Sequence, residues 1–153
     1  MVYSAGCEYA IRAVAELARH WPDKQYVLLR SVASGTNLAG PYLGKLLQRL
    51  VLVGMVQSLK GRTGGYRLAK DPRKIRLIDI VKAIDGTERL NRSIVGLGDW
   101  RDEDAPAKLR SWAKLRGQVL TLIEKTTAAD LAEAIEHRRA GRGSRRRHPS
   151  HAA

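Results

Sequence analysis

No phenylalanine occurs in this chain, aromatic side chains of all kinds make up 5% of it, and Cys7 is its only cysteine. A core drawn from such a composition has to be aliphatic. A lone thiol excludes an internal disulfide and any zinc site made of several thiolates. Three of the four histidines (His20, His137, His148 and His151) fall in or beside a polar C-terminal stretch. No ligand constellation results, and neither a metal site nor a cofactor is expected. Long apolar runs, a signal peptide and lipidation motifs are missing too. The expectation is a soluble, cytoplasmic protein with no membrane partner. Nor is there a nucleophile–base pair or a phosphate-binding loop, so no catalytic residue is assigned and an enzyme is the reading with least support.

Acidic residues are the second scarcity. Lys and Arg number 28 against 15 Asp and Glu, a formal charge of +13 with a pI near 10.5. Such an excess suits a polyanion. Its distribution says more. Residues 37 to 76 hold nine cations (Lys45, Arg49, Lys60, Arg62, Arg67, Lys70, Arg73, Lys74 and Arg76) against the single acid Asp71. Residues 138 to 153 hold six arginines and no acid. At 153 residues and 44% hydrophobic content, the chain can bury one core and carry appendages.

The stretch LAGPYLGKLLQRLVLVGMVQSLKGRTGGYRL, residues 38 to 68, is the most informative. Leu43, Leu46, Leu47 and Leu50 follow the i, i+3, i+4, i+7 spacing of a helix with one buried face. Pro41 suits the first position of that helix. The other face offers Pro41, Tyr42, Gly44, Lys45, Gln48 and Arg49 to phosphates and base edges. Residues 56 to 60 and 66 to 68 read as two strands around a turn in which Gly64 and Gly65 are expected to take positive φ. Lys60, Gly61 and Arg62 crown that hairpin. A helix that fits a major groove, followed by a basic β-loop, describes a winged helix-turn-helix.

Around it, residues 4 to 19 read as a first helix capped by Ser4 and residues 29 to 35 as a second, with residues 26 to 28 as a short strand. Residues 77 to 85 form a fourth helix ending at Gly86. Residues 87 to 105 read as irregular, and residues 107 to 125 as the longest helix, with Leu109, Trp112, Leu115, Val119, Leu120 and Ile123 along its apolar face. Thr127 and Asp130 resemble a capping box for a last short helix. From Ala140 onward the composition argues for disorder.

In this order the features resemble the Rrf2 family of bacterial transcription regulators. The matching stretches are GCEYAIRAVAELA, PYLGKLLQRLVLVGMV, SLKGRTGGYRLAKDP, IRLIDIVKAIDG, and Trp112 followed by LIEKTTAADLAEA, together covering about residues 1 to 136. The resemblance implies a homodimer whose long C-terminal helices cross. It also implies, for many members, an iron–sulfur cluster on three cysteines between the fourth and the long helix. Here those positions fall on about Ser93, Trp100 and Pro106, none of which binds iron as a thiolate would. Glu8 lies near where some members place a non-cysteine ligand, and a lone carboxylate cannot hold a cluster.

The expected architecture is therefore mainly α with a small β-wing. A winged helix-turn-helix DNA-binding domain spans 1–86, a linker loop 87–105, a dimerisation helix and closing short helix 106–137, and a disordered basic tail 138–153. Pro41, Tyr42, Lys45, Gln48, Arg49, Lys60, Gly61, Arg62, Gly64 and Gly65 are the expected contacts to double-stranded DNA. Tyr42 either packs beside the helix or touches a phosphate. Arg62 either grips a phosphate or enters the minor groove and senses its width. Leu109, Trp112, Val119, Leu120 and Ile123 are assigned to the homodimer contact. Cys7 reads as a small buried hydrophobe. The expected function is sequence-specific regulation of transcription by a homodimer on a pseudo-palindromic operator, without an iron–sulfur cluster. Two alternatives stand beside it: an RNA- or ribosome-associated basic protein, and a regulator acting mainly through a protein effector as partner.

Overall fold

The computed structural model describes residues 3–36, 39–91 and 106–145. Its elements run α1 (Ala5–Arg19), α2 (Leu29–Thr36), α3 (Gly40–Leu52), β1 (Val56–Leu59), β2 (Gly65–Leu68), a 3₁₀ turn (Pro72–Lys74), α4 (Leu77–Asp85), α5 (Glu88–Asn91), α6 (Ala107–Lys125) and α7 (Ala128–Arg145). The mainly helical architecture with a two-stranded antiparallel wing is the one expected from the sequence.

Local chemistry sets the boundaries. The Ser4 hydroxyl accepts from the Cys7 N–H at 3.0 Å and starts α1. Asp85 closes a long-range loop onto the same residue, accepting from the Ser4 N–H at 2.6 Å and the Ser4 hydroxyl at 2.5 Å. Pro41 lies in the first turn of α3. Gly54 follows it at φ +70° and turns the chain into β1. Gly86 ends α4 at φ +77°. Before α7, the Asp130 carboxylate accepts from the Thr127 N–H at 2.8 Å, while the Thr127 hydroxyl accepts from the Asp130 N–H at 3.3 Å. This is the reciprocal cap expected there, with Asp in the place of Glu.

The core is aliphatic. Leu17, Leu43, Leu47, Leu50, Ile75 and Ile80 are its largest fully buried side chains, and Cys7 is sealed among them. Two antiparallel strands bury too little to stand alone, so the wing leans on this core. Val56 pairs with Leu68 and Leu59 with Gly65. On its other side β2 is bridged by Val27, which exchanges backbone hydrogen bonds with Tyr66 at 2.8 and 2.9 Å. The expected strand at residues 26 to 28 thus reduces to a single bridge, Val27 with Tyr66.

Two expectations are corrected. Residues 88 to 91 form the short helix α5 rather than irregular chain, while 92–105, including Ser93 and Trp100, lie outside the described residues. The final helix is not short. It runs eighteen residues to Arg145, through the start of the stretch assigned to disorder; residues 146–153 lie outside the described residues. The cause is tertiary. Glu16 on α1 is 6% exposed. It meets Arg19 at 2.6 Å and Arg139 of α7 at 3.3 Å, and Arg19 also pairs with Glu136 of α7. A carboxylate in that position requires cationic partners, and Arg139 is one only while residues 128 to 139 remain helical.

Candidate nucleic-acid interface

Burial of Leu43, Leu46, Leu47 and Leu50 fixes the rotation of α3. Pro41, Tyr42, Lys45, Gln48 and Arg49 are consequently exposed. Gly44 is half-buried and faces α2, where an added Cβ would stand 3.5 Å from the Leu29 side chain. Gln48 donates to the Tyr66 hydroxyl at 3.3 Å and so spans from the helix to the wing. Tyr42 does pack: its ring meets that of Tyr9 edge-on at 6.2 Å. Its hydroxyl lies where a Cβ on Gly6 would be 2.8 Å away. The residue is still 45% exposed, so packing leaves part of it on the surface.

The wing glycines divide by cause. Gly61 has φ +106° and Gly65 φ +148°, whereas Gly64 is not among the positive-φ residues, contrary to expectation. Space is what Gly64 supplies, because a Cβ there would lie 2.1 Å from the Leu59 carbonyl oxygen. It is buried, and its N–H is donated to the Gly61 carbonyl at 3.0 Å. Gly64 therefore shapes the turn and is withdrawn as a contact residue. Lys60, Gly61 and Arg62 are exposed at the tip, and Gly65 is half-buried below it.

Seven of the nine cations of this region fall into two groups. Arg73 and Asp71 are paired at 2.5 Å, and the hydrogen bonds from Arg73 hold the Asp71 carboxyl down at about 2. Arg76 and Asp79 are paired at 2.9 Å, and the hydrogen bond from Arg76 likewise lowers the Asp79 pKa. Arg67 lies 4.5 Å over the Tyr26 ring and donates to the Gln57 side chain and the Lys24 carbonyl, both at 3.0 Å. These three brace the fold. Lys45, Arg49, Lys60 and Arg62 make no ion pair among the described residues. A row of exposed, unneutralised cations on a helix and an adjoining hairpin is a surface for phosphates.

Arg30 joins this surface without any sign of it in the sequence. It is exposed at the start of α2 and lines an open groove together with Pro41 and Arg62. An isolated arginine amid apolar residues carries no periodic signal that would single it out.

On α6 the expected apolar face divides. Ile123 is 3% exposed and belongs to the protomer's own core. It is corrected from dimer contact to internal packing. Val119 and Leu120 are half-buried against that same core. Leu115 and Leu122 stand outward, 48% and 65% exposed, and neither is among the residues expected at the interface. The side chains of Leu109 and Trp112 lie outside the described residues. Among the described residues no group of three or more His, Cys, Asp or Glu could hold a metal ion. Among them, too, no helix is long and apolar enough to cross a membrane.

Such a helix and wing define a winged helix-turn-helix DNA-binding protein. The chain belongs to the Rrf2 family, whose model, described as "Iron-dependent Transcriptional regulator", matches residues 3–134. The family places it among the regulators of transcription. An HTH-type protein of Mycobacterium tuberculosis strain H37Rv is 34% identical over 133 residues, 86% of this chain and 81% of that protein. The HTH-type transcriptional regulator CymR of Bacillus subtilis is 30% identical over 132 residues, 86% of this chain and 90% of CymR. The solved structure of B. subtilis CymR, described as the global cysteine regulator, superposes with a TM-score of 0.72 at 29% identity, covering 86% of this chain and 95% of that one. That of IscR from T. potens gives 0.65 at 28%, covering 86% and 85%. These relatives are named as regulators, not enzymes.

Proposed function

We propose that this regulator acts in the bacterial cytoplasm as a homodimer on a pseudo-palindromic operator, and without an iron–sulfur cluster. One observation carries the reading: the four leucines of α3 are inside, which puts Lys45, Gln48 and Arg49 outside, next to the exposed wing cations Lys60 and Arg62. Dimerisation is supported by α6. Leu115, Val119 and Leu122 are spaced four and three apart, and Trp112 precedes them by three in sequence, the pattern of a two-helix seam. Two α3 helices held by such a seam enter successive major grooves on one face of the duplex. A signal acts by changing their separation or the dimer's free energy.

The family description implies iron, and the residues present do not fit a cluster. The only thiol, Cys7, is fully buried in the aliphatic core, and the resemblance places the family's cysteine positions at about Ser93, Trp100 and Pro106. Protein purified without oxygen is expected to be colourless. Stoichiometric iron and sulfide with a visible absorption band would overturn that part of the reading.

The division of labour within the interface is tested by titration across salt concentrations, on a selected site and on scrambled DNA. Lys45→Ala and Gln48→Ala are expected to change which sequence is preferred, by about 1–3 kcal/mol for each base edge no longer read. Lys60→Ala is expected to weaken all sequences alike and to flatten the salt dependence by roughly one unit of slope for each phosphate contact removed. A specificity ratio untouched by both α3 substitutions would remove α3 as the reading helix.

A further inference from the structure

Leu28, Leu29, Arg30, Gly40, Pro41 and Arg62 enclose an open groove of about 700 Å³. Its walls come from three parts of the fold: the start of α2, the first turn of α3 and the tip of the wing. Two arginines line it, Arg30 from α2 and Arg62 from the wing. Neither makes an ion pair among the described residues. No acidic residue occurs in the sequence between Asp23 and Asp71, a stretch that contains every element lining the groove. The groove thus gathers positive charge that its own walls cannot neutralise. Leu28, Leu29 and Pro41 supply apolar lining, which suits the apolar edge of a sugar and leaves the guanidinium groups as the polar features.

Gly40 adds an independent mark. A Cβ at this position would meet nothing within 4 Å, and its φ is not positive. Neither packing nor backbone conformation therefore calls for glycine at the head of α3. What its missing side chain does is keep the groove open.

We infer that this groove seats a single backbone phosphate of bound DNA, clamped between Arg30 and Arg62. The inference rests on the DNA-binding reading above and deepens it. The phosphate lies between the reading helix and the wing, and it fixes the depth and register of α3 while carrying no sequence information. Arg62 is then a phosphate clamp and not a reader of minor-groove width.

The test uses the full chain and a duplex selected by the wild-type protein from a random library. Arg30→Ala is expected to weaken binding to selected and scrambled duplexes by the same factor, about tenfold, and to lower the salt slope by about one unit per protomer, about two for the dimer. Neutral methylphosphonates are then walked along the backbone one position at a time. At one position the substitution should weaken the wild type and leave the Arg30→Ala and Arg62→Ala proteins unchanged. Gly40→Glu should fold normally, as read by helical circular dichroism and thermal melting, and lose affinity for both duplexes. Inorganic phosphate at matched ionic strength should displace wild type and Arg30→Ala equally from DNA.

Four results would overturn the clamp: an unchanged salt slope in Arg30→Ala, a weakening that depends on sequence, no backbone position silent in both arginine variants, or full affinity in folded Gly40→Glu. Selective displacement of the wild type by inorganic phosphate would make the groove a small-anion site and would overturn it as well. The operator reading fails separately, through absence of any wild-type preference between selected and scrambled duplex.

Discussion

Glutamate at both Leu115 and Leu122 is expected to leave this protein folded and monomeric. Both leucines are exposed in the protomer, at 48% and 65%, so charging them leaves the buried core intact, and the helical signal should persist. Completing their burial against a second α6 is another matter. A fully buried leucine contributes about 1.5–3 kcal/mol, only part of that remains to be gained here, and two-fold symmetry counts each residue twice. The penalty comes to roughly 4–5 kcal/mol, about three orders of magnitude in the dimer dissociation constant. Sedimentation at micromolar concentration reads the effect directly, and specific DNA binding should fall with it, because a monomer engages one half-site. A double variant that stays dimeric at the wild-type concentration would place the interface elsewhere. Ile123→Glu serves as the contrast: that side chain lies in the protomer's own core, and its replacement should unfold the chain.

The second large effect is expected from Gly65→Ala. A Cβ at Gly65 would lie 2.2 Å from the Val27 carbonyl oxygen, and the residue holds φ +148°. The added methyl must push Val27 away and break the bridge to Tyr66, two backbone hydrogen bonds worth about 1 kcal/mol each. Strain at a conformation that glycine alone adopts easily adds roughly 1–3 kcal/mol. Together these cost about 3–5 kcal/mol, a large part of the stability of a domain of this size. Gly61→Ala is the mild member of the series, because its φ of +106° is unfavourable for alanine but no atom lies within 4 Å of the new Cβ. Urea unfolding of the two variants should rank Gly65→Ala well below Gly61→Ala. Equal destabilisation would mean that close approach to Val27 contributes nothing.

Some features are readable in the sequence and others are concealed, for identifiable reasons. The helix from Leu77 to Asp85 is legible to the residue, since Ile80, Val81 and Ile84 mark its inner face and Gly86 its end. The four-leucine stripe of α3 and the glycine turn of the wing are legible because each is a local pattern with a local cause. What resists is set by residues distant in the chain. Apolar spacing on α6 reveals that a face is buried, not whether its own core or a second copy covers it. Ile123 lies in the protomer's own core while Leu122 stands exposed, which spacing alone does not reveal. Gly64 belongs to the turn as expected, but its reason is a carbonyl five residues away rather than its own φ. Gly141 and Gly143 disguise the end of α7, whose helix is anchored by Glu16, 123 positions before Arg139. Arg30 acquires meaning only when the fold brings α2 beside the wing.

The pairing of α1 with α7 has a consequence for biosynthesis. Arg139 completes the ion network of Glu16, and Ala128 and Leu131 pack onto the core that α1 opens. Packing around α1 is thus complete only once α7 is in place. Contacts of such long sequence separation form late, after the loop-closure entropy of nearly the whole chain has been met. A polypeptide halted after α4 would contain the helix-turn-helix and wing in full, yet leave Glu16 without Arg139 and Arg19 without Glu136. Such a fragment is expected to be less stable than the complete fold, with a larger unfolded population open to proteolysis.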